Sequence, residues 1–282
     1  KINQDGTIET DARKVIESGK TVILVGNTKN RTTTDNYKEL TITKTDKDDS
    51  TKKLSGAEFT LYADADCGTK IEEYTTGING EIKISTEDEK IKNNYLPVLG
   101  STTTLYLKET KAPAGYKLDN TIHEIKLSAV LAEVVDAEGY FVPTVTYSIK
   151  YVEGASGVGN KKLTNDKTSV KVSKVDITDH SVELAGAHIQ IRDANDDIVT
   201  DEGSQGIEWD SVSGQVHVIE GLEVDKIYTL HETVAPDGYT IASDTKFKIH
   251  ADGTVESLGG SQKEDGTLLV EDTKIMIYIY VN

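Results

Sequence analysis

Apolar and polar residues alternate along most of this chain, with the period of a strand that buries one face. Leu40-Thr41-Ile42-Thr43, Phe59-Thr60-Leu61-Tyr62, Val170-Lys171-Val172-Ser173 and the run from Ile275 to Val281 all read this way. Thr, Val, Ile and Tyr fill these runs, while Gly, Asn and Asp punctuate them as turn residues. Short strands at fairly even spacing, without a long helical pattern, predict an all-β sandwich fold. Two stretches, 86–94 and 129–137, are expected to form short helices.

The pattern also repeats. Residues 39–62 align without a gap on 169–192, so that Lys44 falls on Lys174, Asp46 on Asp176, Leu54 on Leu184 and Gly56-Ala57 on Gly186-Ala187. Residues 105–116 match 228–239 in the same way. A period this long indicates duplicated domains rather than a solenoid, and 282 residues accommodate two of ordinary size. The expected sandwiches are 38–168 and 169–282. A third, partial copy opens the chain, because 1–10 resembles 248–257 and 20–29 resembles 266–274. Residues 1–30 are therefore expected to be the last strands of a preceding, incomplete domain, with Thr-rich 31–37 as a linker.

Strand parity aims three polar side chains inward in each copy. Leu40, Ile42 and Lys44 share a face, as do Val170, Val172 and Lys174. Leu105, Leu107 and Glu109 share another, matched by Tyr228, Leu230 and Glu232. On the last strands, Leu163 goes with Asn165, and Leu268 and Val270 with Asp272. One inward lysine at a strand end is ordinarily a snorkelling side chain. Three polar groups recurring in the same places of two domains ask for another account, since a buried charge must pair, neutralise or react.

Reaction is chemically available. Burial lowers a lysine pKa and raises a glutamate pKa, favouring a neutral amine beside a protonated acid. The Lys44 amine is then able to attack the side-chain carbonyl carbon of Asn165, with Glu109 polarising that carbonyl and shuttling protons to departing ammonia. Lys174 and Asp272, assisted by Glu232, would condense with loss of water. Folding supplies proximity, so no cofactor is needed. Each bond forms once, which makes this self-modification and not enzymatic turnover. Asn282 is an alternative acceptor in the second copy; Asp272 is preferred because 268–272 mirrors Ile23, Val25 and Asn27. Asn27 would be the acceptor of the incomplete domain.

These motifs resemble the collagen-adhesin B-type (CnaB) domains of Gram-positive surface proteins and pilus shafts. Residues 228–239 carry every position of that family's glutamate-containing box, and 105–116 departs only with Leu105 for the first tyrosine. The Lys-x-Asp of the first strand and the following Leu-x-Gly-Ala fit as well. The resemblance covers about 38–275. It implies immunoglobulin-like sandwiches of roughly seven strands, an intramolecular isopeptide bond between first and last strands, and a sortase-assembled stalk on the cell wall or pilus surface. Its residue roles carry over to Lys44, Glu109 and Asn165 and to Lys174, Glu232 and Asp272. Neighbouring pilin or surface-protein domains are the implied partners. The alternative is a ligand-binding adhesin that uses loops at the sandwich ends for host matrix protein or glycan.

Composition narrows the remaining classes. A net charge of −17 offers no basic stripe for nucleic acid and is poor for an anionic membrane surface. Cys67 is the single cysteine, which rules out an intramolecular disulfide and a cysteine metal cluster. The six histidines lack zinc-ligand spacing, and no metal is expected. Asp193, Asn195 and Asp197 echo a calcium loop, but Ile198 stands where the glycine is required. Leu96-Pro97-Val98-Leu99-Gly100 resembles a sorting signal but lies inside a domain, with no hydrophobic tail after it. Trp209 and 13 tyrosines show no aromatic platform in the sequence. No catalytic triad or phosphate loop is present.

Overall fold

The strands expected from alternation are the dominant elements of a computed structural model that describes residues 14–17, 20–23, 34–135, 141–153 and 156–276. In chain order they are β1 (Lys14–Glu17), β2 (Lys20–Ile23), β3 (Thr34–Tyr37), β4 (Glu39–Asp46), β5 (Glu58–Tyr62), β6 (Lys70–Thr75) and β7 (Glu81–Ser85). After α1 (Glu89–Asn94) come β8 (Thr102–Lys111), β9 (Ile122–Val135), β10 (Phe141–Glu153), β11 (Ser156–Val158) and β12 (Asn160–Asn165). The second copy holds β13 (Ser169–Asp176), β14 (Asp179–Glu183), β15 (His188–Arg192), β16 (Glu208–Asp210) and β17 (His217–Glu220). It continues with β18 (Ile227–Val234), β19 (Thr245–Ile249), β20 (Val255–Ser257) and β21 (Leu268–Asp272).

Each copy is built from two sheets. In the first, β12-β4-β7 form one sheet and β11-β10-β9-β8-β5-β6 the other. In the second, β13 is flanked by β14, β17 and β21, and the other sheet runs β16-β15-β18-β19-β20. The first and last strands of each copy lie side by side in parallel, β4 with β12 and β13 with β21. Parallel neighbours cannot be joined by a tight turn, so the whole of each copy intervenes between them.

By contact, the chain falls into two compact units. Of the described residues, the larger holds Glu39–Ile84, Thr104–Lys126 and those from Lys150 to 276; the smaller holds Ser85–Thr103, those of 127–149 and those up to Lys38. Within the larger unit, Leu40, Ile42, Phe59, Leu61, Leu105, Leu107 and Ile125 are fully buried, and each contributes on the order of 1.5–3 kcal/mol by burial. Val170, Val172, Ile189, Ile191, Leu230, Phe247 and Val270 form the matching core of the second copy. Thr168 is buried between the copies, where its hydroxyl donates to the Leu222 carbonyl (2.6 Å) with the Gly115 carbonyl 3.2 Å away. Gly115 has φ +81°, and a Cβ there would lie 2.6 Å from the Gly221 carbonyl oxygen. Glycine is required on both counts.

Two local expectations change. The helix expected over 86–94 is present as α1, capped by the Asp88 carboxylate accepting from the Lys90 amide at 2.9 Å. The helix expected over 129–137 is replaced by strand as far as Val135. Burial there alternates residue by residue, with His123, Ile125, Leu127 and Ala129 inside. Strand neighbours on both sides supply the backbone partners that a helix would have found internally. In the smaller unit, residues 34–37 of the expected linker form β3, paired in parallel with β10. Tyr37 stacks there on Tyr147 with centroids 5.6 Å apart.

Candidate functional site

Register explains how three inward polar groups meet. In the β4–β12 pair, Leu163 is opposite Lys44 and Asn165 is opposite Asp46. Lys44 and Asn165 therefore stand two places apart on one face, turned toward β8 in the facing sheet. Lys44 Nζ lies 3.2 Å from Glu109 Oε1, and neither side chain is exposed. Asn165 Nδ2 donates to Glu109 Oε2 at 2.8 Å and to the Lys117 carbonyl at 2.6 Å. A backbone carbonyl only accepts, so this second bond fixes which end of the amide faces the glutamate. Asn165 Oδ1 is left buried without a hydrogen-bond partner. The Phe59 ring covers Lys44 Nζ, 5.4 Å from its centroid.

The second copy repeats the construction. Val270 is opposite Lys174, and Asp272 lies two places on. Lys174 Nζ is 2.9 Å from Glu232 Oε1 and in direct contact with Asp272 Oδ1. None of these three atoms completes a well-angled hydrogen bond, so the cluster is an ion-paired one. At both sites the glutamate accepts a backbone N–H ten residues further on: Asp119 to Glu109 Oε2 at 2.7 Å, and Ala242 to Glu232 Oε2 at 2.6 Å.

Burial sets the electrostatics. Desolvation pulls the Lys44 pKa down, against the opposing pull of Glu109, and pushes the Glu109 pKa up, against Lys44. Both shifts favour a neutral amine beside a neutral acid. One detail differs from the expected arrangement, in which Glu109 addresses the Asn165 carbonyl. The nitrogen of the amide faces Glu109 instead, because the Lys117 carbonyl beside it can only accept. The Asn165 nitrogen therefore stands against the oxygen of Glu109 that a neutral acid could protonate.

Asp272 is pushed up to about 6, chiefly by desolvation, with Lys174 opposing and Glu232 adding. An unfolded aspartate titrates near 3.8. Between those values the folded, unreacted site holds a proton that the unfolded chain has lost, so its stability falls as pH rises through about 6. A condensation of Lys174 with Asp272 that releases water would need that proton. The expected result is water loss that is fast in mild acid and slows above about pH 6, followed by intact mass against time. A rate that climbs through this range would contradict the assignment.

The other expected features fall elsewhere. Asn27 and Asn282 lie outside the described residues. Asp193 Oδ1 accepts from the amides of Asn195 (2.8 Å) and Asp197 (3.0 Å), closing an ordinary turn. Among the described residues no His, Cys, Asp and Glu group has the arrangement of a metal site. Trp209 stacks on His217 at 4.1 Å and packs against the second core. Among the described residues no helix is long and apolar enough to cross a membrane.

The pattern of the SpaA family, described as a prealbumin-like fold domain, matches residues 38–140 and again 168–263. The chain belongs to this family. The collagen-adhesin B-type resemblance drawn from its motifs is consistent with that membership. No curated protein matches the chain. Among solved structures it is similar to the Bacillus anthracis TIE protein, with 22% identity and a TM-score of 0.42 over 85% of this chain and 35% of that one. The chain thus spans about a third of that protein. A C-terminal fragment of the pilus adhesin SpaC from Lactobacillus rhamnosus GG aligns at 16% identity and TM-score 0.40, covering 86% and 99% of the two chains. The major pilin subunit BcpA of Bacillus cereus aligns at 15% identity and TM-score 0.28, covering 85% and 100%.

The Lys-x-Asp of this SpaA-family chain carries an aspartate whose partner the sequence alone does not indicate. Asp46 is buried, and its Oδ2 accepts from the Tyr116 hydroxyl at 2.8 Å. Its Oδ1 accepts from the amides of Asp48 (2.8 Å) and Asp49 (3.1 Å). Desolvation, which raises the Asp46 pKa, is outweighed by these bonds, and the carboxyl stays below its usual range. The recurrence of Lys-x-Asp with a Gly-Tyr after the glutamate was the available signal. Tyr116→Phe removes the hydrogen bond to Asp46 Oδ2, leaving that oxygen only Lys167 Nζ at 3.7 Å, and should cost about 1–3 kcal/mol, read from the urea midpoint of the first sandwich. No change in midpoint would remove the pair from the account.

Proposed function

We propose that this chain is a structural segment of a Gram-positive pilus or wall-anchored surface protein, stabilised by two self-formed isopeptide bonds. The proposed sandwiches are 38–168 and 169–282. Lys44 joins Asn165 with loss of ammonia, Glu109 acting as the proton-carrying acid. Lys174 joins Asp272 with loss of water, assisted by Glu232. The observation that carries this reading is the recurrence, in two copies, of a fully buried lysine against a buried glutamate and a last-strand amide or acid. A buried, unreacted ion pair is a weak source of stability, whereas a covalent amide removes the charges altogether.

The mechanical logic follows from the parallel pairing of first and last strands. A bond between them gives pulling force a covalent path past most of each sandwich. It also closes a loop of about 100 residues, worth on the order of 4–5 kcal/mol on the chain-entropy account. An amide is not reducible, which suits a chain with one cysteine. The proposed setting is extracellular, with neighbouring pilin or surface-protein domains as partners and covalent assembly by sortase.

Intact mass under denaturing conditions tests the chemistry directly. The expected deficit is one ammonia plus one water. A chain at its full unmodified mass would refute both bonds.

A further inference from the structure

Among the groups that surround the two sites, one difference matches the difference between their leaving groups. Asp119 and Ala242 present the same backbone N–H to the site glutamate, yet one carries a carboxylate and the other a methyl. The Asp119 side chain is 27% exposed, and its charge acts on Lys44 of the buried site. Its Oδ1 accepts from the Thr121 amide at 2.9 Å, and its Oδ2 lies 3.6 Å from Nε2 of buried His123. His123 Nδ1 is 2.8 Å from the Tyr151 hydroxyl. The tautomer that suits both neighbours accepts from Tyr151 and turns an Nε2 proton toward Asp119.

The charged and titratable groups around this Asp–His pair are Lys44 of β4, Glu109 of β8, Tyr151 and Glu153 of β10 and Lys161 of β12. Desolvation acts to raise the Asp119 pKa but is outweighed by the Thr121 hydrogen bonds and the Lys44 charge, leaving it lowered. Burial lowers the His123 pKa. The pair is thus a carboxylate backed by a neutral imidazole.

The two condensations make different demands. At the second site, the Lys174 Nζ–Asp272 Cγ bond forms and neutral water departs. At the first, the Lys44 Nζ–Asn165 Cγ bond forms and the Cγ–Nδ2 bond breaks. The amide NH2 and the one proton that the neutral Lys44 amine gives up make ammonia, and the Glu109 proton converts it to ammonium. Glu109 ends as a carboxylate. A cation has to leave a fully buried pocket. We propose that Asp119, backed by His123, is a positioning residue for the Lys44–Asn165 bond alone, its carboxylate drawing ammonium from Glu109 out to solvent. This inference rests on the bond proposed above.

The test follows full-length chain made by cell-free synthesis, with aliquots taken over time at several pH values, denatured and weighed. Asp119→Asn preserves shape and should slow ammonia loss at least about tenfold while flattening its dependence on pH. Asp119→Glu should restore most of the rate, and water loss from the second site should be unchanged in both variants. Ammonia loss in Asp119→Asn within about twofold of the parent, with the same pH profile, would overturn the proposal. Equal slowing of water loss would also overturn it, since the effect would then not be confined to the first site. A parent chain that loses water but never ammonia refutes the Lys44–Asn165 bond itself, a result distinct from either.

Discussion

Replacing Glu109 with alanine is expected to abolish the loss of ammonia while the loss of water persists, and Glu232→Ala is expected to do the reverse. Each glutamate touches its lysine, at 3.2 Å and 2.9 Å, and neither has solvent as a substitute acid. Positioned acid–base catalysis contributes roughly 10²–10⁴ in rate, so the affected bond should be absent on the timescale of expression. Removing one member of a buried pair also destabilises the fold, typically by 3–5 kcal/mol. Glu109→Gln and Glu232→Gln are therefore the companion variants: they keep the volume and the Asp119 and Ala242 amide contacts but not the transferable proton. Intact mass separates the outcomes, because the two proposed bonds would release different molecules. Persistence of both losses in the glutamine variants would rule out the acid role of these residues.

Much of this arrangement was legible in the sequence because its cause is local. Parity along a strand is fixed by backbone geometry, so Leu40, Ile42 and Lys44 had to share a face once the strand was read correctly. Repetition then checked the reading, as Val170, Val172 and Lys174 obeyed the same rule. What periodicity cannot convey is the identity of the neighbours across the sheets. The contact of Asp46 with Tyr116 spans 70 residues and depends on where the turn after β8 comes to rest. The orientation of the Asn165 amide depends on the Lys117 carbonyl, a backbone group with no signature of its own. Strand β9 beyond Leu127 was misjudged for a related reason. Ala129 to Val135 carries good helix formers, and only pairing with flanking strands overrides that propensity.

The cleanest measure of what the proposed cross-link adds to stability is expected from Asp272→Ala in the second sandwich. This substitution removes the acceptor but leaves Lys174 paired with Glu232 at 2.9 Å, so no buried charge is stranded. Lys174→Met is a poorer probe, since it leaves Glu232 and Asp272 facing each other without a cation. Losing the cross-link alone should cost on the order of 4–5 kcal/mol. With a urea slope of about 1–3 kcal/mol/M, the midpoint falls by about 2 M. Trp209 is the chain's single tryptophan and packs against the second core, so its fluorescence reports that sandwich. Asp272→Ala should shift the Trp209 transition, whereas Asn165→Ala should leave it in place and lower only the transition of the first sandwich, followed by circular dichroism. A Trp209 midpoint unmoved by Asp272→Ala, in a parent whose mass shows the water loss, would mean that the bond bears load without adding equilibrium stability. Its role would then be confined to chains under tension, where the first and last strands are pulled apart along β13 and β21.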